Sequence, residues 1–270
     1  MRLFLLLLLP FVFAGSVPRP SVVERDFGAY FRARQLRGSF LLFDPQANRY
    51  TAYNAARCRE GFLPASTFKI PNTIIGFETG VIRDTSQVFK WDGVRRTFGT
   101  WNRDMTLAEA LRVSCVPCYQ QVARVVGAKR YQQWLPKLRF GKMVVTAATV
   151  DSFWLVGPSR ITQFEEIDFL RRLHANELPV SARSQHLTKQ LLLLQQTPQY
   201  RLYGKTGWTS AGPRRNNGWF VGWLEQTSGP VYFFALNLEP APGLPADERF
   251  TAGRRVITEQ ILTELGLLKK

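Results

Sequence analysis

The hydrophobic repeat changes period twice along the 270 residues. Residues 38–43 (GSFLLF) and 49–53 (RYTAY) are short β-rich runs joined by the turn signal DPQAN, which predicts a hairpin. From about Ser66 to Gln195 apolar residues recur at i, i+3 and i+4. TLAEALRVS (106–114) and QFEEIDFLRRLHANEL (163–178) show this most clearly, and Asn102 and Asp104 are candidate caps before the first. Strand pattern then returns in YRLYGKTGWT (200–209), NGWFVGWLEQ (217–226) and VYFFALNLE (231–239), and residues 246–268 read as a last helix. This order predicts an α/β fold of the α+β type. A central antiparallel sheet comes from both chain ends, is flanked by helices, and takes a mostly helical domain inserted against one side. The sheet part is expected at about 20–60 and 196–270 and the helical part at about 61–195. A site belongs at their seam.

The N-terminus stands outside that plan. MRLFLLLLLPFVFAGSVPRP has one arginine, an apolar run from Leu3 to Ala14, then small and turn-forming residues. That is a secretory leader, too short to span a bilayer as a stable helix. Val12-Phe13-Ala14 resembles a cleavage signal, so 1–14 is expected to be a signal peptide and 15–270 the mature, exported protein, periplasmic or secreted. No later segment reads as a membrane span. The net charge of +16 raises the question of nucleic acid, but the cations are scattered (Arg34, Arg95, Lys129, Arg171, Arg214) with no run of five. A solvated basic surface is the expectation, with no nucleic-acid partner.

Two residue types exclude chemistries by scarcity. The histidines, His174 and His186, form neither an HExxH nor any paired ligand spacing, so no metal is expected. No G-x-S-x-G elbow exists for a Ser-His-Asp triad. Three cysteines, Cys58, Cys115 and Cys118, are too few and too odd for a disulfide framework. Cys115-Val-Pro-Cys118 has redox spacing but no thioredoxin-like surroundings. Buried thiols are expected there, with a local Cys115–Cys118 bridge as the lesser alternative.

What remains is GFLPASTFKIPN (61–72). Ser66 and Lys69 lie at i and i+3, which on a helix face the same side. A serine hydroxyl needs something to take its proton, and a neutral amine can do so where an ammonium cannot. Leu63, Phe68 and Ile70 are apolar neighbours able to desolvate Lys69 and lower its pKa. A helix start also offers free N–H groups to a developing oxyanion, and Pro71 is expected to tighten or kink the chain past the first turn. By itself S-x-x-K occurs about once by chance in a chain this long. Two further motifs accompany it. Lys205-Thr206-Gly207 opens a strand, supplying a fixed cation, a hydroxyl and a glycine that lets another group approach closely. Between the two lies Ser114-Cys115-Val116, uninformative except for its position.

S-x-x-K, then S-x-[NV], then K-T-G is the motif order of penicillin-recognising serine acyltransferases, and here the second motif ends in Val116. Within that group the chain resembles the class D serine β-lactamases (oxacillinases). The likeness is carried by FLPASTFKIPNTIIGFETG (62–80), SCVPCYQQVARVVG (114–127), DSFWL (151–155), YGKTGW (203–208) and GWFVGWLE (218–225). The resemblance implies the β-lactamase/transpeptidase-like fold. It also implies that Ser66 is acylated by a small-molecule β-lactam and that Lys69 is N-carboxylated by CO2 or bicarbonate, with no other cofactor. By the same resemblance Val116, Trp154 and Leu155 line the lysine pocket, the Trp154 N–H holding the carbamate. Ser114 relays a proton and Lys205 tunes it. Thr206, Gly207, Trp208 and Arg254 bind substrate, and the N–H groups of Ser66 and Trp208 form the oxyanion hole. Arg255 is the neighbour that competes with Arg254. Phe140-Gly141-Lys142 replaces the family's frequent Tyr-Gly-Asn, and Trp208 stands where a smaller aromatic is usual. Substrate preference is expected to be set around Trp101, Phe140 and Pro213. The alternatives are a β-lactam sensor that stays acylated, or a D,D-peptidase. Nothing in the sequence speaks to oligomeric state.

Overall fold

A computed structural model describes residues 19–210 and 216–268. The leader at 1–14 and the stretch with Pro213 and Arg214 lie outside the described residues. In chain order the elements are β1 (Ser21–Glu24), α1 (Gly28–Arg32), β2 (Leu36–Asp44), β3 (Arg49–Tyr53), α2 (Ala55–Cys58) and, after a 3-10 turn, α3 (Lys69–Glu78). The helical section continues with β4 (Val88–Phe89), β5 (Met105–Thr106), α4 (Leu107–Arg112), α5 (Val116–Val126), α6 (Ala128–Leu138), α7 (Gln163–His174) and α8 (Ala182–Leu192). The sheet resumes with β6 (Leu193–Gln196), β7 (Tyr200–Thr209), β8 (Asn217–Gln226) and β9 (Val231–Pro240), and α9 (Glu248–Glu264) closes the fold.

One sheet of order β1-β3-β2-β9-β8-β7-β6 joins the two chain ends where β2 pairs with β9. It is antiparallel as expected, except that β1 runs parallel to β3 on the outer edge. The two-residue alternation of β8 explains why both sheet faces are covered. Trp219, Val221 and Trp223 point into the core shared with the helical section, and Phe220 and Leu224 into a second core under α1 and α9. Fully burying side chains of this size stabilises by roughly 2–3 kcal/mol each.

One local expectation needs correction. The cap of α4 is Thr106 rather than Asn102 or Asp104. Its side chain accepts from Glu109 N while Glu109 returns a bond to Thr106 N, a reciprocal pair that neither asparagine nor aspartate further back can make. Pro71 sits inside the first turn of α3, directly after the 3-10 turn. It is the third residue of α3, where an N–H would have no intrahelical partner anyway.

Candidate active site

The nucleophile segment is anchored to the sheet before it turns. The Leu63 carbonyl accepts from Asn217 Nδ2 (2.8 Å) and Trp219 Nε1 (2.9 Å), both on β8. The Pro64 carbonyl then accepts from Thr67 N (3.2 Å) and Thr67 Oγ1 (2.8 Å), closing the 3-10 turn Ala65–Phe68. Ala65 takes φ 51°, a conformation costly for any residue with a β-carbon, and its N–H is held by the Trp154 carbonyl at 2.9 Å. The reversal leaves Ser66 at the start of the helix and Lys69 one turn on, with Nζ 2.7 Å from Ser66 Oγ.

Lys69 is fully buried, its Nζ 5.3 Å from the centre of the Tyr119 ring. Among the described residues no carboxylate pairs with it. Burial alone lowers its pKa to about 7, so a large share of the amine is neutral at physiological pH. The Trp154 indole stacks on Phe68 at 5.3 Å and 17°, and Phe153 meets it edge-on. Its Nε1 is buried and bonded to nothing among the described residues, an arrangement that costs about 1–3 kcal/mol and calls for an acceptor. Val116 and Leu155 are half-buried, Leu155 packing on the same core and accepting Thr209 Oγ1 through its carbonyl at 2.7 Å.

Ser114 sits between α4 and α5 at φ 58°, pinned by Ser114 N to Leu111 O (3.2 Å) and Cys115 N to Ala110 O (2.8 Å). Lys205 Nζ donates to Ser114 Oγ at 2.9 Å and to the Thr206 carbonyl at 2.7 Å. Desolvation first, then the charges of Lys69 and Arg254, hold the Lys205 pKa well below the usual lysine range. The expectation of free thiols beside Ser114 is overturned. Cys115 and Cys118 form a disulfide with Cα atoms 5.5 Å apart, because Cys115 caps α5 and the first turn brings residue i+3 back over it. Cys58 alone is a free, buried thiol.

Arg254 and Arg255 separate cleanly. Arg254 Nη1 donates to the Gly207 carbonyl at 2.9 Å, and burial lowers its pKa to about 10. Arg255 turns to Glu259 (2.5 Å) and Gln195. Gly207 allows a close approach, since a β-carbon there would lie a tight 3.2 Å from the Pro64 carbonyl. β6 pairs only as far as Tyr203, so the β7 edge bearing Lys205, Thr206, Gly207 and Trp208 is open on that side. A cavity of about 640 Å³ touches the edge only at Gly204, Lys205 and Thr206; its other walls are α4, α8, β6 and Arg255, and Ser66, Ser114, Gly207, Trp208 and Arg254 are not among its lining residues. Phe98 packs between Trp101 (4.6 Å) and Trp208 (6.2 Å) as an aromatic rim.

Phe140 does not shape this cleft. It is fully buried behind Phe68 and against Phe169 (4.9 Å), so losing a phenol oxygen there changes the core and not the substrate surface. Sequence reasoning missed Tyr119, Thr67, Glu166, Asn217 and Trp219. Only Trp219 carried a signal, as an inward residue of an alternating strand.

The chain matches the penicillin-binding-protein transpeptidase domain over residues 38–262, which defines the broad class. Within that class the chain belongs to the class D β-lactamases. It is 40% identical to β-lactamase OXA-10 of Pseudomonas aeruginosa over 84% of each chain. It is 38% identical to β-lactamase OXA-48 of Klebsiella pneumoniae over 94% of this chain and 95% of that one. A crystal structure of a class D β-lactamase from Nostoc superposes with a TM-score of 0.84 at 40% identity, covering 90% of this chain and 99% of that one. The C-terminal domain of the Bacillus licheniformis BlaR penicillin receptor shares the fold with a TM-score of 0.85 at 25% identity, over 94% and 100% of the two chains.

Proposed function

We propose that this protein hydrolyses the β-lactam ring of penicillin-type antibiotics through an acyl-enzyme on Ser66, and so confers resistance to them. The observation that carries the reading is a serine 2.7 Å from a buried lysine amine that has no counter-ion among the described residues. Ser66 Oγ attacks the lactam carbonyl as its proton passes to the Lys69 side chain. The N–H groups of Ser66 and Trp208 receive the developing oxyanion. Ser114, held by Lys205 at 2.9 Å, delivers a proton to the departing nitrogen. Thr206 and Arg254 take the substrate carboxylate at the open edge of β7.

The lysine pocket fits a carboxylate added by CO2. The amine is partly neutral, the walls are apolar, and the Trp154 N–H lacks an acceptor among the described residues. Bound there, such a group would supply an anionic oxygen base, held by Trp154 between Val116 and Leu155. The leader at 1–14 and the relatives' bacterial source support export to the periplasm or medium. Among the described residues no helix is long and apolar enough to cross a membrane.

The test is turnover of a chromogenic cephalosporin by the purified mature protein, with and without bicarbonate. Many equivalents hydrolysed, faster with bicarbonate, is the expected result. A burst of one equivalent with no recovery would instead mark a sensor, and indifference to bicarbonate in CO2-depleted buffer would remove the carboxylated lysine.

A further inference from the structure

Directly behind the nucleophile turn lies an acid that the chemistry above does not use. Glu166, on α7, is fully buried. Its Oε1 is 2.5 Å from Thr67 Oγ1, the residue after the nucleophile, and its Oε2 has no partner among the described residues. Thr67 Oγ1 is also 2.8 Å from the Pro64 carbonyl. A hydroxyl has one hydrogen and cannot donate to both oxygens. The Pro64 carbonyl has no proton to give, so the second proton must come from Glu166.

We infer that Glu166 is a neutral carboxylic acid that positions the oxyanion-binding turn through the chain Glu166 Oε1–H to Thr67 Oγ1–H to the Pro64 carbonyl. That carbonyl packs on Gly207, one residue before the Trp208 N–H, and one turn's closure sets the Ser66 N–H. The relay therefore fixes the two oxyanion donors relative to each other. It acts through Thr67 and touches no substrate, so Glu166 is a positioning residue. The inference rests on the acylation reading of Ser66.

The surroundings agree with a protonated acid. Desolvation raises the Glu166 pKa to about 8, against a lowering by Thr67, and the neighbouring Glu165 adds to the rise. Of the ionisable groups on the elements packed against α7, none other bears on it. Lys69 is held by Ser66, Glu239 by Arg37 and Arg57, Glu225 by His174, and Lys189 by Asn176. Once Glu166 ionises, the Thr67 hydrogen is drawn to the carboxylate and the Pro64 carbonyl loses its second donor. The turn then loosens.

The test is the pH dependence of Ser66 acylation, followed by chromogenic turnover and by mass of the acyl-protein in rapid quench. The wild-type rate should break downward near pH 8. Glu166→Gln keeps a donor toward Thr67 at every pH, and its break should move up by at least one pH unit. Thr67→Ser should keep the wild-type break. Thr67→Val should lower the acylation rate about tenfold at pH 7 with KM little changed, as expected for a lost positioning hydrogen bond. An unchanged break in Glu166→Gln, or wild-type behaviour in Thr67→Val, would overturn the inference. If wild-type protein is acylated but does not turn over, the hydrolase reading fails, and the acyl-mass arm still decides the role of Glu166.

Discussion

Lys69 is destabilising where it sits, and its activity depends on that. Its folded pKa of about 7 is below the unfolded value of about 10.4. Between those two pH values the unfolded chain holds a proton that the folded one does not, so stability rises with pH across that window. Below pH 7 both states are protonated and the burial penalty is fully expressed. Lys69→Met should therefore raise stability at pH 6 by roughly 2–4 kcal/mol, an advantage that shrinks toward pH 10. The same variant should lose acylation entirely. Thermal unfolding at pH 6, 7.5 and 9 checks the direction; a variant less stable than wild type at pH 6 would mean that Lys69 is not isolated from charge as the structure has it. Trp154 obeys the same logic at lower cost, since its buried donor has no acceptor among the described residues.

Elements were legible where a single periodicity governs them. β7, β8 and β9 were readable almost to the residue because each side chain alternates between two covered faces, and α7 because its apolar stripe lies mainly against β9 and β8. The Ser66–Lys69 pair was legible as one helical turn. What escaped was contact between segments distant in sequence: Glu166 lies 99 residues from Thr67. No local pattern records a single acid on an otherwise ordinary helix. The Cys115–Cys118 bridge was only the lesser alternative for a different reason. Cysteine parity argues about a whole framework, whereas this bridge depends on one capping turn at the start of α5. It ties down Cys115, directly after Ser114, which itself holds φ 58°. Closing so short a loop stabilises by about 2 kcal/mol at most in the chain-entropy picture. Its larger effect is expected on Ser114: Cys115→Ala/Cys118→Ala should lower kcat several-fold while KM changes little. Thiol titration of denatured, unreduced protein should find Cys58 alone. Three reactive thiols would refute the bridge.

Across the whole molecule, a polar line runs along one face of the sheet, from exposed Arg37 through buried groups to the nucleophile turn. Arg37 and Arg57 both reach Glu239, at 2.9 and 3.1 Å. Arg57 Nη2 donates to Asn237 Oδ1 (2.8 Å), Asn237 Nδ2 to Asn217 Oδ1 (2.6 Å), and Asn217 Nδ2 to the Leu63 carbonyl (2.8 Å). These groups come from α2, β2, β9 and β8, so the line crosses the seam where both chain ends join the inserted helices. Within such a network each member satisfies the next, and removing one strands its neighbours in a low-dielectric interior. Asn237 is the pivot, because it accepts from one side and donates to the other. Asn237→Leu removes both bonds at once, leaving the Arg57 guanidinium short of an acceptor and the Asn217 carbonyl without its donor. Stability should fall by roughly 2–4 kcal/mol. The Asn217 side chain, released from Asn237, is then free to turn, and the Leu63 anchor ahead of the strained Ala65 weakens with it. The acylation rate should drop with stability in this variant, although Asn237 has no polar contact with any residue of the Ser66–Lys69 pair. Asn217→Leu should reproduce the same pairing of losses. Denaturant unfolding and acylation kinetics on both variants measure it; loss of stability with full acylation rate would show that the sheet and the nucleophile turn are not coupled through this line.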